Sequence, residues 1–355
     1  MKEPAYLSLY RSYVNEIVTG VYPYGSKLPS KRDIAAKAGV SVITAAHALT
    51  LLSDEGYVET RERSGCFVIY RRDDFPVAVP AVSFSPEVEK EGIHKSTESL
   101  ISYSIVAKTM RRILQDYGEE ILVKSPNRGS RVLREEISAY LMRSRGIRVQ
   151  PSRIVIGSGA EYLYGLVVQF LGTKEIYAIE DPSYDKICSV YRVMGAAVEK
   201  LKLGRNGILS EELTRTKARI LHVTPFHSFP SGITADISKK NEYIRWAAER
   251  DGILIEDNYD SELTVSKKME ESLFSMAPDT RVLYINTFSK TIAPSLRLGY
   301  MILPASMEEA FQEKLGFISC TVPVFDQLVV AELIRNGDFE RHINRVRRKK
   351  RLSDG

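Results

Sequence analysis

Lys290 stands among small hydroxylated residues, Thr287, Ser289 and Thr291, just after an apolar run that ends at Ile285, and Arg297 follows shortly before a second apolar run at 299–303. A lysine held at a strand end among hydroxyls can form a Schiff base with an aldehyde, and an arginine beside it can grip a phosphate bidentately. Upstream, Gly252-Ile253-Leu254-Ile255-Glu256-Asp257-Asn258-Tyr259 has the near-continuous apolar character of a buried parallel strand. It delivers Asp257 and Tyr259 at its C-terminal end, where open α/β sheets bind ligands.

An anion against a pyridinium nitrogen, a phenol near a ring oxygen, an amine for an aldehyde and a guanidinium for a phosphate together suit pyridoxal 5'-phosphate. Two further stations support that chemistry. Residues 153–160 read as a strand running into a small-residue turn, Ser158-Gly159-Ala160, before a helix over 161–171. Backbone N–H groups at such a helix start form a phosphate cradle. Residues 176–184 read as another strand ending in a turn, where Tyr184 is placed to stack on a planar ring.

With these four stations in order, the chain from about residue 104 onward resembles the large domain of fold-type-I aminotransferases. Residues 257–299, with their spacing, are similar to the MocR/GabR branch of the GntR regulators. The resemblance implies that Lys290 carries the Schiff base, that Asp257 pairs the ring nitrogen and that Tyr259 bonds the ring oxygen. It places Ser158, Gly159, Ala160, Thr287, Ser289 and Arg297 on the phosphate and Tyr184 on the ring face. The loop 224–232 resembles the aminotransferase Asn-Pro-Thr-Gly turn, with Phe229 where those enzymes carry asparagine. That exchange removes an amide donor and shifts the balance from fast turnover toward sensing; His227 lies in the same loop.

Length and composition set the frame for these stations. At 355 residues with an ordinary apolar fraction, the chain predicts two domains. A net charge of +5 is too small to demand nucleic acid by itself, so any basic surface has to be local. Cys66, Cys188 and Cys320 lie far apart and lack metal-ligand spacing, which predicts structural thiols in a reducing compartment and no metal site. No apolar run reaches membrane-spanning length and the first residues are interrupted by charges, so a soluble, cytoplasmic protein is expected.

In the first 70 residues, Leu7, Tyr10, Val14, Ile17 and Val18 recur at helical spacing. Ser30 is placed to cap a short helix closing at Gly39, and a third helix starts at Val40-Ser41 and reaches to Gly56. Residues 57–60 and 66–69 then read as strands flanking a basic hairpin tip that contains Arg61, Arg63 and Gly65. Helix-turn-helix plus hairpin is a winged helix, and residues 6–70 look like the GntR-type DNA-binding domain. In such a fold the third helix lies in the major groove, making Ser41, Thr44 and His47 candidates for base edges. Ser30, Lys31, Arg32, Arg61 and Arg63 are candidates for phosphates, with Gly65 in the same DNA-binding set.

The expected organisation is therefore a winged helix-turn-helix over 1–70, an irregular Pro-containing tether over 71–98, and a doubly wound α/β domain of fold-type-I aminotransferase type over 99–355. The basic run between Arg345 and Arg351 reads as a helix leading toward a C-terminal small domain, which is largely missing here, rather than as a nucleic-acid patch. That small domain carries the arginine for a substrate carboxylate in relatives, so no residue is assigned that role. The reading is a pyridoxal-phosphate-dependent DNA-binding regulator that senses an amino acid or amine as a homodimer on an operator. The alternatives are an aminotransferase with a vestigial DNA-binding domain and an inactive truncated remnant.

Overall fold

Serine caps and a glycine turn set the N-terminal helices. Ser30 accepts the Asp33 N–H and donates to the Asp33 carboxylate at 2.7 Å, opening α2 (Lys31–Ala38) after α1 (Ala5–Val18). Gly39, at a φ of 64°, closes α2 in the left-handed conformation that glycine adopts without a Cβ penalty. Ser41 then caps α3 (Val42–Asp54) by accepting the Thr44 N–H at 3.1 Å. Strands β1 (Val58–Arg61) and β2 (Gly65–Val68) pair antiparallel, and Tyr13, Ile17, Leu28, Ile34, Ala45, Leu52, Val58 and Val68 form one core.

The computed structural model describes residues 4–61, 64–71, 101–259, 261–263, 271–277 and 281–353, falling into two units, Met1–Ile93 and His94–Gly355. Arg63 and nearly all of the tether expected at 71–98 lie outside the described residues.

The second unit is a seven-stranded sheet with helices on both faces, the doubly wound class expected. Its strands are β3 (Ile154–Gly157), β4 (Ile176–Asp181), β5 (Ala197–Lys202), β6 (Ile220–Val223), β7 (Ile253–Asp257), β8 (Val282–Thr287) and β9 (Gly299–Ile302). They lie in the order β3-β9-β8-β7-β6-β4-β5, and β9 alone runs antiparallel to its neighbours. Its apolar sequence gives no clue to that direction, which the short return through Lys290 and Arg297 imposes.

Alternation assigns the faces. Ile179, Ile220, Ile255, Leu283, Ile285 and Met301 meet α6 (Ala160–Leu171), α7 (Asp185–Val193) and α11 (Glu308–Leu315). Their neighbours Ala178, Leu221, Leu254, Val282, Tyr284 and Tyr300 meet α5 (Arg131–Arg145), α9 (Ile237–Glu249) and α12 (Val324–Arg335) on the other face, where α4 (Tyr103–Tyr117), α8 (Ser210–Arg215) and α10 (Leu273–Met276) join the same core. The basic helix α13 (Asp338–Ser353) packs on this second face: Arg347 donates to the Glu262 carbonyl at 2.7 Å and Lys350 to that of Leu263 at 3.3 Å. Two cations of the basic run are thereby committed to this unit's own backbone.

One buried acid holds the loop after β6. Glu180, 4% exposed on β4, accepts the Thr224 N–H at 3.2 Å and the Ser228 hydroxyl at 2.5 Å. Burial outweighs these bonds and raises its carboxyl to about 7. The protonated acid is thus favoured in the folded state, so the stability it contributes is intact at low pH and is lost as pH rises through about 7. The unfolding temperature of the wild-type second unit is expected to fall as pH rises from about 4.5 to about 7 and to level off above that, by an amount worth at most about 3 kcal/mol, while Glu180→Gln shows a flatter profile. Parallel profiles by calorimetry would contradict this. Gly299, beside β8, has no room for a side chain, since an added Cβ would stand 2.9 Å from the Asn286 carbonyl oxygen. Gly299→Ala is expected to destabilise this unit by about 1–3 kcal/mol in urea unfolding, through displacement of the backbone next to Thr287.

Candidate cofactor site and nucleic-acid interface

The C-terminal ends of β3, β6, β7 and β8 open onto one edge of the sheet, together with the start of β9. That edge forms a cavity of about 280 Å³ lined by Ala160, Glu161, Tyr164, Tyr184, Ile187, Thr224, Phe229, Asp257, Tyr259, Thr287, Ser289, Lys290 and Arg297. Eight of the ten sequence-predicted cofactor residues are in this lining. Ser158 instead accepts a hydrogen bond from the Thr321 hydroxyl at 2.9 Å. Gly159, at a φ of 94° before α6, packs so closely that an added Cβ would lie 3.0 Å from an Arg297 nitrogen.

Asp257 ends β7 and is 1% exposed, on the face that meets α6. Its Oδ2 accepts the Tyr164 hydroxyl and lies 3.6 Å from His222 Nε2, while His222 Nδ1 is 2.7 Å from the Tyr191 hydroxyl. Burial and the nearby Asp257 charge push both phenols well above the usual tyrosine range, so they stay protonated. The second oxygen, Oδ1, is buried with no hydrogen-bond partner among the described residues. An unfilled buried carboxylate oxygen at a cavity wall fits a ring N–H donor, and the tight Gly159–Arg297 approach fits a phosphate cradle.

Lys290 lies in the turn after β8, with Nζ 4.2 Å from the centre of the Tyr259 ring. The Tyr259 hydroxyl donates to the His227 carbonyl at 3.0 Å. His227 itself has a φ of 51°, so it contributes this backbone acceptor to the site. Tyr184 caps the start of α7 and meets Phe229 edge to face, with ring centres 6.2 Å apart. Phe229 is 54% exposed at the cavity mouth.

Sequence reading missed Glu161, Tyr164 and His222 as parts of this site. Tyr164 sits one helical turn beyond Ala160, a spacing that could have found it. His222 shares the face of Ile220 by strand alternation. Glu161 bridges Arg297 and Lys186, whose Nζ is 2.7 Å away. Burial opposes its ionisation, but Lys186, its own backbone N–H and Arg297 outweigh that and hold the carboxyl at about 2.

In the first unit, Lys31 and Arg32 are exposed at the start of α2, next to the capping Ser30. Ser41 and Thr44 are joined by the cap of α3, their hydroxyls 2.8 Å apart. The His47 ring stacks on Tyr6 of α1, with centres 4.2 Å apart. On the first turn of α3 the most exposed side chain is Ile43, at 82%, a residue the sequence reading passed over. Arg61 ends β1 opposite Gly65, pairs with Glu59 at 3.1 Å and covers the Phe67 ring at 4.8 Å. These groups put a basic α2 start and a basic strand end on a winged helix whose third helix opens with a capped, exposed turn.

The two units match two families. Residues 5–68 match the bacterial regulatory proteins of the gntR family, and residues 99–353 match aminotransferase class I and II. The chain is 32% identical to the uncharacterized HTH-type transcriptional regulator YdeL of Bacillus subtilis, over 98% of this chain and 78% of that protein. It is 26% identical to the HTH-type pyridoxine biosynthesis transcriptional regulator PdxR of Corynebacterium glutamicum, over 94% of this chain and 73% of that one. Against the probable rhizopine catabolism regulatory protein MocR of Rhizobium meliloti the identity is 25%, over 97% and 74%. Among solved structures, the α-aminoadipate aminotransferase LysN of Thermus thermophilus aligns at 28% identity with a TM-score of 0.61, over 70% of this chain and 66% of that one. A kynurenine aminotransferase of Pyrococcus horikoshii aligns at 26% with a TM-score of 0.62, over 70% and 64%. The chain thus spans just under two thirds of those enzymes' length. GntR-type domains bind DNA, and the aminotransferase domain implies pyridoxal phosphate. With both domains in this order and relatives matched along nearly all of its length, the chain belongs to the MocR-type HTH transcriptional regulators.

Proposed function

We propose that this regulator loads pyridoxal 5'-phosphate on Lys290 and that the loaded domain, on meeting an amino acid or amine, changes how the winged helix holds its operator. The observation that carries the reading is the Asp257 Oδ1, without a hydrogen-bond partner among the described residues, on the wall of the cavity that also holds Lys290 and Arg297. When bound, the cofactor supplies an electrophilic carbon for amines and an electron-withdrawing ring.

This chain's residues do the rest. Asp257 would accept a hydrogen bond from the protonated ring nitrogen on Oδ1, and Tyr164 and His222 hold that carboxylate in place from behind. Arg297, Thr287 and Ser289 and the start of α6 at Ser158, Gly159 and Ala160 would hold the phosphate, the helix end contributing N–H donors. Tyr259 presents its ring face to Lys290, and Tyr184 with Phe229 would cover the ring and narrow the route to water. Ser30, Lys31, Arg32, Arg61 and Arg63 would contact operator phosphates, Gly65 would let the hairpin tip approach them, and Ser41, Thr44 and His47 would face the bases. A homodimer on a two-part operator completes the proposal, as the symmetry of such sites favours.

The shared lysine and aspartate also favour a second reading, slow transamination alongside regulation; pyridoxamine phosphate accumulating with amino donors would support it. Titration of the full chain with pyridoxal phosphate is expected to produce visible absorbance in the wild type and none in Lys290→Ala. Asp257→Ala is expected to weaken cofactor binding about 10- to 100-fold, the loss of one charge-assisted hydrogen bond. A wild type that stays colourless at saturation would sink the cofactor reading. Replacing Lys31 and Arg32 with alanine is expected to weaken gel-shifted complexes uniformly across DNA sequences and to lower the salt slope by about one per lost phosphate contact. An unchanged slope would remove both residues from the interface.

A further inference from the structure

The phosphate end of the cavity already contains an anion. The Glu161 carboxylate is paired with the Arg297 guanidinium and with Lys186, and it also accepts its own N–H at the start of α6. A guanidinium and the free N–H groups of a helix start are the two donor types that a phosphate at this place needs. Arg297 has 53% of its side chain exposed, and its ion pair among the described residues is with Glu161. Glu161 is in its first helical turn, lines the cavity beside Ala160 and Arg297, and stays ionised over the whole physiological range.

We propose that the Glu161 carboxylate and the phosphate of the ligand are alternative occupants of one anion site, so that Glu161 sets the affinity for phosphorylated ligands. The inference rests on the cofactor reading above, but its physical content is narrower: two anions share one set of donors, and the side chain must turn away for the phosphate to enter. Two like charges brought to the same donors repel, which lowers affinity without altering the groups that recognise the ring. Loading would then follow the supply of phosphorylated cofactor instead of saturating at trace levels, a property a sensor needs and a tight catalytic site does not. Lys186 has a part in this arrangement, because it offers the displaced carboxylate a partner on α7 that does not depend on Arg297.

Glu161→Gln in the full chain separates competition from simple support of Arg297. Binding of inorganic phosphate and of pyridoxal phosphate, by calorimetry and by visible absorbance, is expected to tighten roughly tenfold or more, while pyridoxal, which lacks the phosphate, changes less than about twofold. Glu161→Ala, which removes the side chain, should move the same way, so a folding defect in one variant does not decide the matter. Weaker or unchanged phosphate binding in both variants would overturn the proposal and make Glu161 a positioning residue for Arg297. Tighter inorganic phosphate binding without any visible absorbance from pyridoxal phosphate would leave the competition standing and overturn the cofactor reading instead.

Discussion

A carboxylate buried at the end of a central strand is the constraint around which the second unit is arranged. Asp257 is 1% exposed, and an ionised carboxylate in the interior costs several kcal/mol unless hydrogen bonds and nearby polar groups offset it. Tyr164 supplies one hydrogen bond from α6, His222 stands behind from β6, and Tyr191 on α7 fixes the histidine ring. One anion therefore ties two strands to two helices. The compensation is incomplete: Oδ1 has no partner among the described residues, and a half-satisfied buried acid is destabilising unless a ligand completes it. Stability has been left at the point where chemistry would be wanted.

Around that acid, the sheet edge is kept clear for backbone to approach. At Gly157, the last residue of β3, an added Cβ would stand 2.7 Å from Leu163 and Tyr162, so α6 can press against the strand end only because no side chain intervenes. At Gly159 the same closeness brings the helix start onto Arg297. On the strand next to Asp257, all six residues of β8 are buried, which leaves the turn beyond it as the first place where a lysine can meet both solvent and the cavity. Lys290 is in that turn. The positions of Asp257, Lys290 and Arg297 are thus consequences of strand length and close helix packing, not of a dedicated scaffold around each one.

Those same features decide what could be read without a structure. The strands of the second unit were legible because continuous apolar runs end in small or charged residues at one recurring place, and the winged helix because Ser30, Gly39 and Ser41 carry cap and turn chemistry in the right order. Lys290, Asp257 and Arg297 could be picked out because each closes or opens an apolar run. The direction of β9 was not legible, since parallel and antiparallel strands of this length have the same composition. Glu161 is an acid in the first turn of α6, a position the helix dipole favours in any helix, and only the fold brings Arg297 to it. The stacking of the His47 ring on Tyr6 was not legible either, because the two residues lie on helices far apart in sequence.

The hydrogen bonds around the ring position also separate holding a cofactor from using it quickly. Tyr259, the phenol that family resemblance assigns to the ring oxygen, spends its proton on the His227 carbonyl, in a loop held by the left-handed backbone at His227. Phe229, where an amide would offer a second donor, brings an exposed ring instead and meets Tyr184 edge to face. Both groups that would polarise the ring oxygen are therefore engaged elsewhere or apolar, while the groups that anchor the two ends of the ring, Asp257 and Arg297, remain in the cavity wall. Rapid turnover depends on donors aimed at charge that develops during reaction, whereas retention depends on the anchors alone. On the proposed reading, this distribution favours a domain that captures its cofactor and registers an amine over one that processes many substrate molecules.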